Sequence, residues 1–272
     1  MPPLGELMGF AAALAGAGVV AGVLAGLFGI GGGAILVPVF YQVFGLLQVD
    51  EAVRMHLSVG TSLAIIVPTS LRSFMAHKKR GVVDLDLLRS WIFAVPLGVV
   101  AASLIAAHVS SAGLRAIFAV IAILVGLRML FNRVTWRLGA DLPPNPARAA
   151  VGGVIGLLSA LMGIGGGVLN NTFMTLYGRP VHQAVATSSG VGVLISIPGL
   201  FGYLWAGWGA PGLPPFSTGY INWVAVALII PITLLVAPLG VRLAHALDKR
   251  QLEIGFGLFM LLIAARFFYS LI

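Results

Sequence analysis

Seven stretches of this chain are apolar for about the length a lipid bilayer requires of a helix: Leu7–Phe28, Gly60–Ala76, Trp91–Ala107, Leu114–Phe131, Val185–Trp205, Val224–Val241 and Ile254–Ile272. A hydrocarbon core about 30 Å thick takes about 20 such residues per helical crossing. In hydrocarbon, backbone N–H and C=O groups must find partners inside the protein, which leaves helices as the solution for segments like these. Composition agrees: 59% of residues are hydrophobic and 9% are charged, where a soluble chain carries about 25% charged residues. The expected class is therefore an all-α, multi-pass integral membrane protein. The net charge of +8 would suggest nucleic acid for a soluble chain. Here the basic residues gather at the ends of apolar segments, where they set topology, and no nucleic-acid partner is expected. With no cysteine, disulfides, thiolate metal sites and thiol catalysis are excluded. The N-terminal Met1–Glu6 has no basic region and the apolar run after it is too long for a cleaved signal, so none is expected.

The chain repeats itself. Gly29-Ile-Gly-Gly-Gly33 recurs as Gly163-Ile-Gly-Gly-Gly167, each after an apolar stretch spaced with small residues, Gly18/Gly22/Gly26 and Gly152/Gly156/Ala160. Met55-His-Leu-Ser-Val-Gly-Thr-Ser62 matches Val181-His-Gln-Ala-Val-Ala-Thr-Ser188. Gly81-Val-Val-Asp84 corresponds to Gly219-Tyr-Ile-Asn222, and Pro96-Leu-Gly98 to Pro238-Leu-Gly240. Leu114, Phe118 and Arg128 correspond to Leu252, Phe256 and Arg266 at one offset. The expected units are a first repeat over 1–131, a polar, proline-rich linker over 132–148, and a second repeat over 149–272.

Charge sets the orientation. His77–Arg89, Asn132–Arg148 and Arg242–Gln251 carry the basic loop residues, whereas Ala106–Gly113 and Ala206–Tyr220 carry none. The positive-inside rule puts the first set in the cytoplasm. Corresponding loops then fall on opposite faces, which is the inverted-repeat plan of many secondary transporters. Inversion needs an odd number of crossings per half. Three spans follow each glycine motif, so the motif and its flanking helices must add an even number. The segments after the motifs, Ala34–Leu46 and Val168–Gly178, reach only about 20 and 16 Å as helix. Each repeat is thus expected to be a glycine-broken helical hairpin followed by three transmembrane helices, with both turns near the midplane and both termini outside.

Four glycines in five residues do not suit a helix interior, where each costs about 1 kcal/mol relative to alanine. Non-helical backbone at that depth survives only where protein buries it or a cavity borders it. A short helix starting after each turn would aim its free N–H groups and the positive end of its dipole into the turn, and two facing ends would form a small anion site. The candidates are Gly29, Gly31, Gly32 and Gly33 in the first half and Gly163, Gly165, Gly166 and Gly167 in the second. Close packing through small residues is the competing reading, and it is preferred for Gly18/Gly22/Gly26 and Gly152/Gly156. Thr61, Ser62, Thr187, Ser188 and Ser189, expected near helix starts, could ligate an anion, cap a helix or bond the preceding turn's carbonyls. Asn170 and Asn171 follow the second turn, where the first half has nothing as polar. His56 and His182 could carry a coupling proton or sit at the membrane interface. Arg72 could serve an anion pathway, Arg128 and Arg266 can snorkel to the interface, and Asp84 and Asn222 read as N-caps. No carboxylate occupies a convincing mid-helix position, and Gly-x-Ser-x-Gly is absent.

Gly26-Leu-Phe-Gly-Ile-Gly-Gly-Gly-Ala-Ile-Leu-Val-Pro38, Gly60-Thr-Ser-Leu63, the His77 to Gly81-Val-Val-Asp84 loop and their second-half copies resemble the TauE/SafE, or sulfite exporter, family over nearly the whole chain. The resemblance implies transport of a small sulfur-containing anion such as sulfite, sulfoacetate or another organosulfonate across the bacterial plasma membrane, usually as export. The second half departs from the first where Asn170-Asn171 replaces the apolar Leu36-Val37 region, an asymmetry that would let one half read the substrate. The expectation is an alternating-access carrier that is not an enzyme and needs no cofactor or metal. Its partners would be a small anionic substrate and the lipid bilayer, with a second copy of the chain left open. An anion channel using the same helix ends is the main alternative, and a membrane enzyme or scaffold subunit a remote one.

Overall fold

A computed structural model of the chain describes residues 4–28, 33–131, 137–245 and 247–271. Eleven α-helices follow one another among these residues: α1 (Leu4–Phe28), α2 (Gly33–Leu46), α3 (Glu51–Lys79), α4 (Leu85–Trp91), α5 (Ala94–His108), α6 (Ser111–Leu130), α7 (Ala147–Met162), α8 (Gly167–Leu176), α9 (Val181–Ala206), α10 (Trp223–His245) and α11 (Lys249–Tyr269). A two-residue ribbon, β1 (Ser217–Thr218) against β2 (Ile221–Asn222), lies before α10. Among the described residues four helices are long and apolar enough to cross a membrane by themselves, and α4 with α5, bent by 47° at a short break, makes up to a fifth. The bend follows from Pro96 in the first turn of α5. Proline has no N–H to give to the carbonyl four residues back, and its ring collides with that carbonyl. The sequence expectation of one unbroken helix over Trp91–Ala107 is corrected here to a helix break at Ile92–Phe93.

The periphery is apolar. Leu97, Leu124, Leu235 and Leu262 are 68%, 63%, 78% and 70% exposed, and a surface of that kind is stable only against lipid or another protein. Inside, α3 and α9 cross at the centre and run antiparallel, with Leu63 against Gly199, Ser70 against Gly192 and Phe74 against Gly190. The ends of α6 and α11 meet head to tail: Arg115 bonds Ser270 at one end, and Arg250 bonds Met129 at the other. Their crossing point is Gly126 against Gly257. The remaining long contacts are exchanged between the halves. Gly18 and Gly22 let α1 lie against Ile229, Ile232 and Thr233 of α10, while Gly152 and Gly156 let α7 lie against Trp91 and Val95. Gly18, Gly22, Gly152 and Gly156 are therefore packing devices, as their spacing suggests, and the surroundings of Gly26 lie outside what is described.

The α5–α7 seam gives a test with opposite signs for two neighbours. A methyl at Gly98 would collide with the Gly153 carbonyl, which is backbone and cannot turn aside. A methyl at Gly153 meets only the Ala94 carbonyl at 3.5 Å, an ordinary contact. Helix propensity alone would make either Gly→Ala change stabilising by about 1 kcal/mol, and overpacking costs about 1–3 kcal/mol. Gly98→Ala is expected to lower the melting temperature in detergent and Gly153→Ala to leave it equal or higher. Equal shifts in both variants would contradict this seam.

Candidate functional site

The second glycine turn is described in full. Gly163 ends α7 with φ 65°, and its N–H bonds Ala160 while Ile164 N–H bonds Ser159, the paired bonds of a Schellman stop. Gly166, φ 72°, then begins α8. Both angles lie in the left-handed region, which glycine enters without a Cβ penalty. Gly166 has no side chain with which to cap, so the first N–H groups of α8 meet no cap from it. Gly163, Gly165, Gly166, Gly167 and Val168 are all buried.

The two glycine motifs come together. Gly33, the first residue of α2, is buried against Gly163 and Ile164: a Cβ there would stand 2.9 Å from the Gly163 carbonyl oxygen and 2.8 Å from the Ile164 Cα. Gly29, Gly31 and Gly32 lie outside the described residues. Ser62 donates to the Gly163 carbonyl at 2.8 Å. This meeting point is eleven residues past Glu51 and seventeen before Lys79, close to the middle of α3.

That position corrects one sequence expectation. Thr61 and Ser62 are not near a helix start, because α3 begins earlier, at Glu51, where the Asp50 side chain accepts from Ala52 N–H at 2.9 Å. Thr187, Ser188 and Ser189 likewise fall inside α9, well past Val181. Thr61 and Thr187, both fully buried, do matching work across the halves. Thr61 Oγ1 accepts from Asn222 N–H at 3.0 Å, and Thr187 Oγ1 accepts from Asp84 N–H at 2.9 Å. The caps expected of Asp84 and Asn222 are present: Asp84 accepts from Leu87 N–H at 3.0 Å and Asn222 from Ala225 N–H at 2.9 Å. The β1–β2 loop therefore dips alongside α3 to a depth of roughly 15 Å from its start, at 1.5 Å per residue. Gly60 permits this by lying directly against the Tyr220 carbonyl. A buried N–H left without its acceptor costs about 1–3 kcal/mol. Thr61→Val and Thr187→Val should each lower stability by an amount in that range, readable by thermal unfolding, and an unchanged melting temperature in both would argue against the reciprocal anchors.

Asn170, Asn171 and Ser188 form a chain beside the turn. Asn170 Nδ2 donates to Ser188 Oγ at 2.7 Å, and Ser188 donates to Asn171 Oδ1 at 2.7 Å, tying α8 to α9. Asn170 is fully buried and its Oδ1 has no hydrogen-bond partner. Ser159 Oγ, also buried and unpartnered, lies 3.7 Å from where a Cβ on Gly166 would stand. Ser189 returns its proton to the Ala186 carbonyl at 2.6 Å. The sequence reading overlooked Ser159. Its signal was a hydroxyl one helical turn before the glycine run.

The titratable candidates separate from this cluster and from each other. His56 is buried, its Nε2 lies 3.0 and 3.1 Å from the Ala106 and Val109 carbonyls, and its ring faces Tyr220 at 4.7 Å. His182, its counterpart in the repeat, is exposed in the first turn of α9. Arg72 is exposed on α3.

A helix pair broken at the buried glycine turn Gly163–Gly167, inside a bundle with an apolar outer surface, defines a multi-pass membrane protein with a buried polar cluster. The chain belongs to the sulfite exporter TauE/SafE family, whose sequence model matches residues 14–267, and it is a membrane transporter with a small-molecule substrate in a lipid environment. It is similar to a probable membrane transporter protein of Haemophilus influenzae, at 32% identity over 92% of this chain and 95% of the relative. It is also similar to one of Methanocaldococcus jannaschii, at 28% identity over 90% and 93%, and to the probable membrane transporter YunE of Bacillus subtilis, at 26% over 93% and 95%. No solved structure matches the chain.

Proposed function

We propose that the protein is a secondary transporter that carries a small sulfur-containing anion, sulfite or an organosulfonate such as sulfoacetate, by alternating access around the two glycine turns, in the direction of export. The observation that carries this reading is the contact of Gly33 with Gly163 and Ile164 near the middle of α3. There the start of α2 meets the stop of α7, a few residues before α8 begins at Gly167. Helix starts stabilise negative charge through free N–H groups and the dipole, and Ser159 and Asn170 add polar atoms that have no protein partner. The sulfur anion comes from the family's description.

The proposed cycle rests on two inverted repeats, 1–131 and 149–272, joined by the segment 132–148. The antiparallel pairing of α3 with α9 and of α6 with α11, each with its own counterpart, supports opposite orientations. So does the reciprocal bonding of Thr61 to Asn222 and Thr187 to Asp84. In this reading the occluded state is the one in which the Tyr220 loop and the Asp84 loop both hold their threonines. Opening would require the Tyr220 loop on one face, or the Asp84 loop on the other, to leave its threonine.

Thermal unfolding in detergent with sulfite, sulfate, thiosulfate, sulfoacetate, taurine and chloride in parallel tests the substrate class. A ligand at 100 times its Kd stabilises the folded state by about 2.7 kcal/mol. Stabilisation by sulfite or a sulfonate beyond that by chloride is expected. No response to any sulfur anion would count against the assignment.

A further inference from the structure

We propose that the chain carries a second oxoanion site, built by Arg54, Arg115 and Arg266 at the end of the bundle opposite the Lys78–Arg80 turn. A cavity of about 400 Å³ opens there between the end of α2, the starts of α3 and α6, and the end of α11. Its charged lining among the described residues is those three guanidiniums and one carboxylate, Glu51. Three positive charges less one negative leave the cavity at +2.

Arg115 is the foundation. It is 4% exposed, its Nη2 lies 2.6 Å from Glu51 Oε1, and its Nη1 donates to the Ser270 carbonyl at 3.1 Å and hydroxyl at 2.9 Å. Its Nε is buried and has no hydrogen-bond partner. Arg54 is half-buried and spends Nε and Nη2 on the Val49 carbonyl, at 3.1 and 2.7 Å. Its Nη1 makes neither of those bonds. Tyr41 orders both groups, with its ring centroid 5.4 Å from the Arg54 guanidinium carbon and 5.6 Å from that of Arg115. Arg266 is exposed in the last turn of α11. By itself Arg266 needs no ligand, since a cation at a helix C-terminus is favourable. The combination does call for one. Glu51 pairs with Arg115, and among the described lining residues two guanidiniums are left without a carboxylate around one cavity, a charge excess that an anion would offset.

Guanidinium forks match the paired oxygens of sulfonate, sulfate and phosphate. The ligand class is therefore a tetrahedral oxoanion bearing one or two negative charges. Two sources share that chemistry: a soluble anion, and the phosphate of an anionic lipid entering past Leu46, which lines the cavity and is 79% exposed. This site is separate from the glycine turns and does not depend on what they carry.

The test is thermal unfolding of the purified full-length protein with sodium sulfate or with dioctanoyl phosphatidylglycerol, each against sodium chloride at equal ionic strength. The wild type is compared with R54Q/R266Q, R266Q, R266K and Gly166→Leu. At least one of the two probes is expected to stabilise the wild type and Gly166→Leu, with an apparent Kd at least tenfold weaker in R54Q/R266Q, weakened in R266Q and largely restored in R266K. A response to sulfate identifies a soluble oxoanion, and a response to phosphatidylglycerol alone identifies a lipid headgroup. If R54Q/R266Q does not fold, R266Q, altered only at an exposed position, carries the comparison. Equal stabilisation of wild type and the glutamine variants, no stabilisation of the wild type by either probe, or loss of the response in Gly166→Leu alone would each overturn the site.

Discussion

Gly166→Leu is expected to reduce anion flux to the background of empty vesicles, whereas Gly178→Leu, at the other end of the same helix, keeps most of it. The two glycines have nearly the same backbone, φ 72° and 75°, so both variants bear the same left-handed penalty of about 1–2 kcal/mol. Their surroundings differ. A Cβ at Gly166 would stand 2.7 Å from Ile195 Cδ1 and 3.0 Å from Val191 Cγ1, and within reach of Ser159. A Cβ at Gly178 meets only the Ala140 carbonyl, at 3.8 Å. Overpacking adds about 1–3 kcal/mol at the first position, and the leucine fills the space in front of the α8 N–H groups. Flux normalised to folded, reconstituted protein separates loss of the site from loss of the fold. Similar flux in the two variants would remove the turn from the pathway.

Asn170→Leu is expected to lower flux at least tenfold while leaving the melting temperature equal or higher. Its amide links α8 to Ser188, but its own Oδ1 is buried without a donor. An unsatisfied buried polar atom costs about 1–3 kcal/mol, while a neutral hydrogen bond returns about 0.5–1.5 kcal/mol net. Leucine, of similar length, removes both terms, and Ser188 still donates to Asn171. A residue kept only for structure would give the opposite result, a lower melting temperature with flux per folded molecule unchanged.

Much of this arrangement is legible in the amino-acid sequence. The second glycine run, the packing glycines Gly18, Gly22, Gly152 and Gly156 and the caps at Asp84 and Asn222 are local devices, and each is specified by residues a few positions apart. What escaped the sequence depends on partners far along the chain. Nine of the ten residues of α3 before Thr61 precede the apolar stretch Gly60–Ala76, yet Asp50 caps the helix and Val53, Met55 and Leu57 are buried, so the threonine lies deep. The two histidines look equivalent in the repeat. Only the turn carbonyls of Ala106 and Val109, about fifty positions later, bury one of them. The segment Ala206–Tyr220, which leads into the inward β1–β2 turn, is rich in glycine and proline, which reads as a surface connection. Its depth becomes apparent only when Gly60 is seen to leave room for Tyr220. Ser159 was hidden for the same reason, since its neighbours come from a turn that must first fold back.

The most direct test of the central claim is counterflow of labelled sulfite into vesicles that hold purified protein and are preloaded with unlabelled sulfite, run on wild type and Gly166→Leu. The account predicts saturable uptake in the wild type that is stimulated by internal sulfite, competed by sulfoacetate, and absent from Gly166→Leu. Wild-type exchange through Gly166→Leu would contradict a path at the glycine turns, and a wild type that exchanges neither sulfite nor a sulfonate would contradict the substrate class.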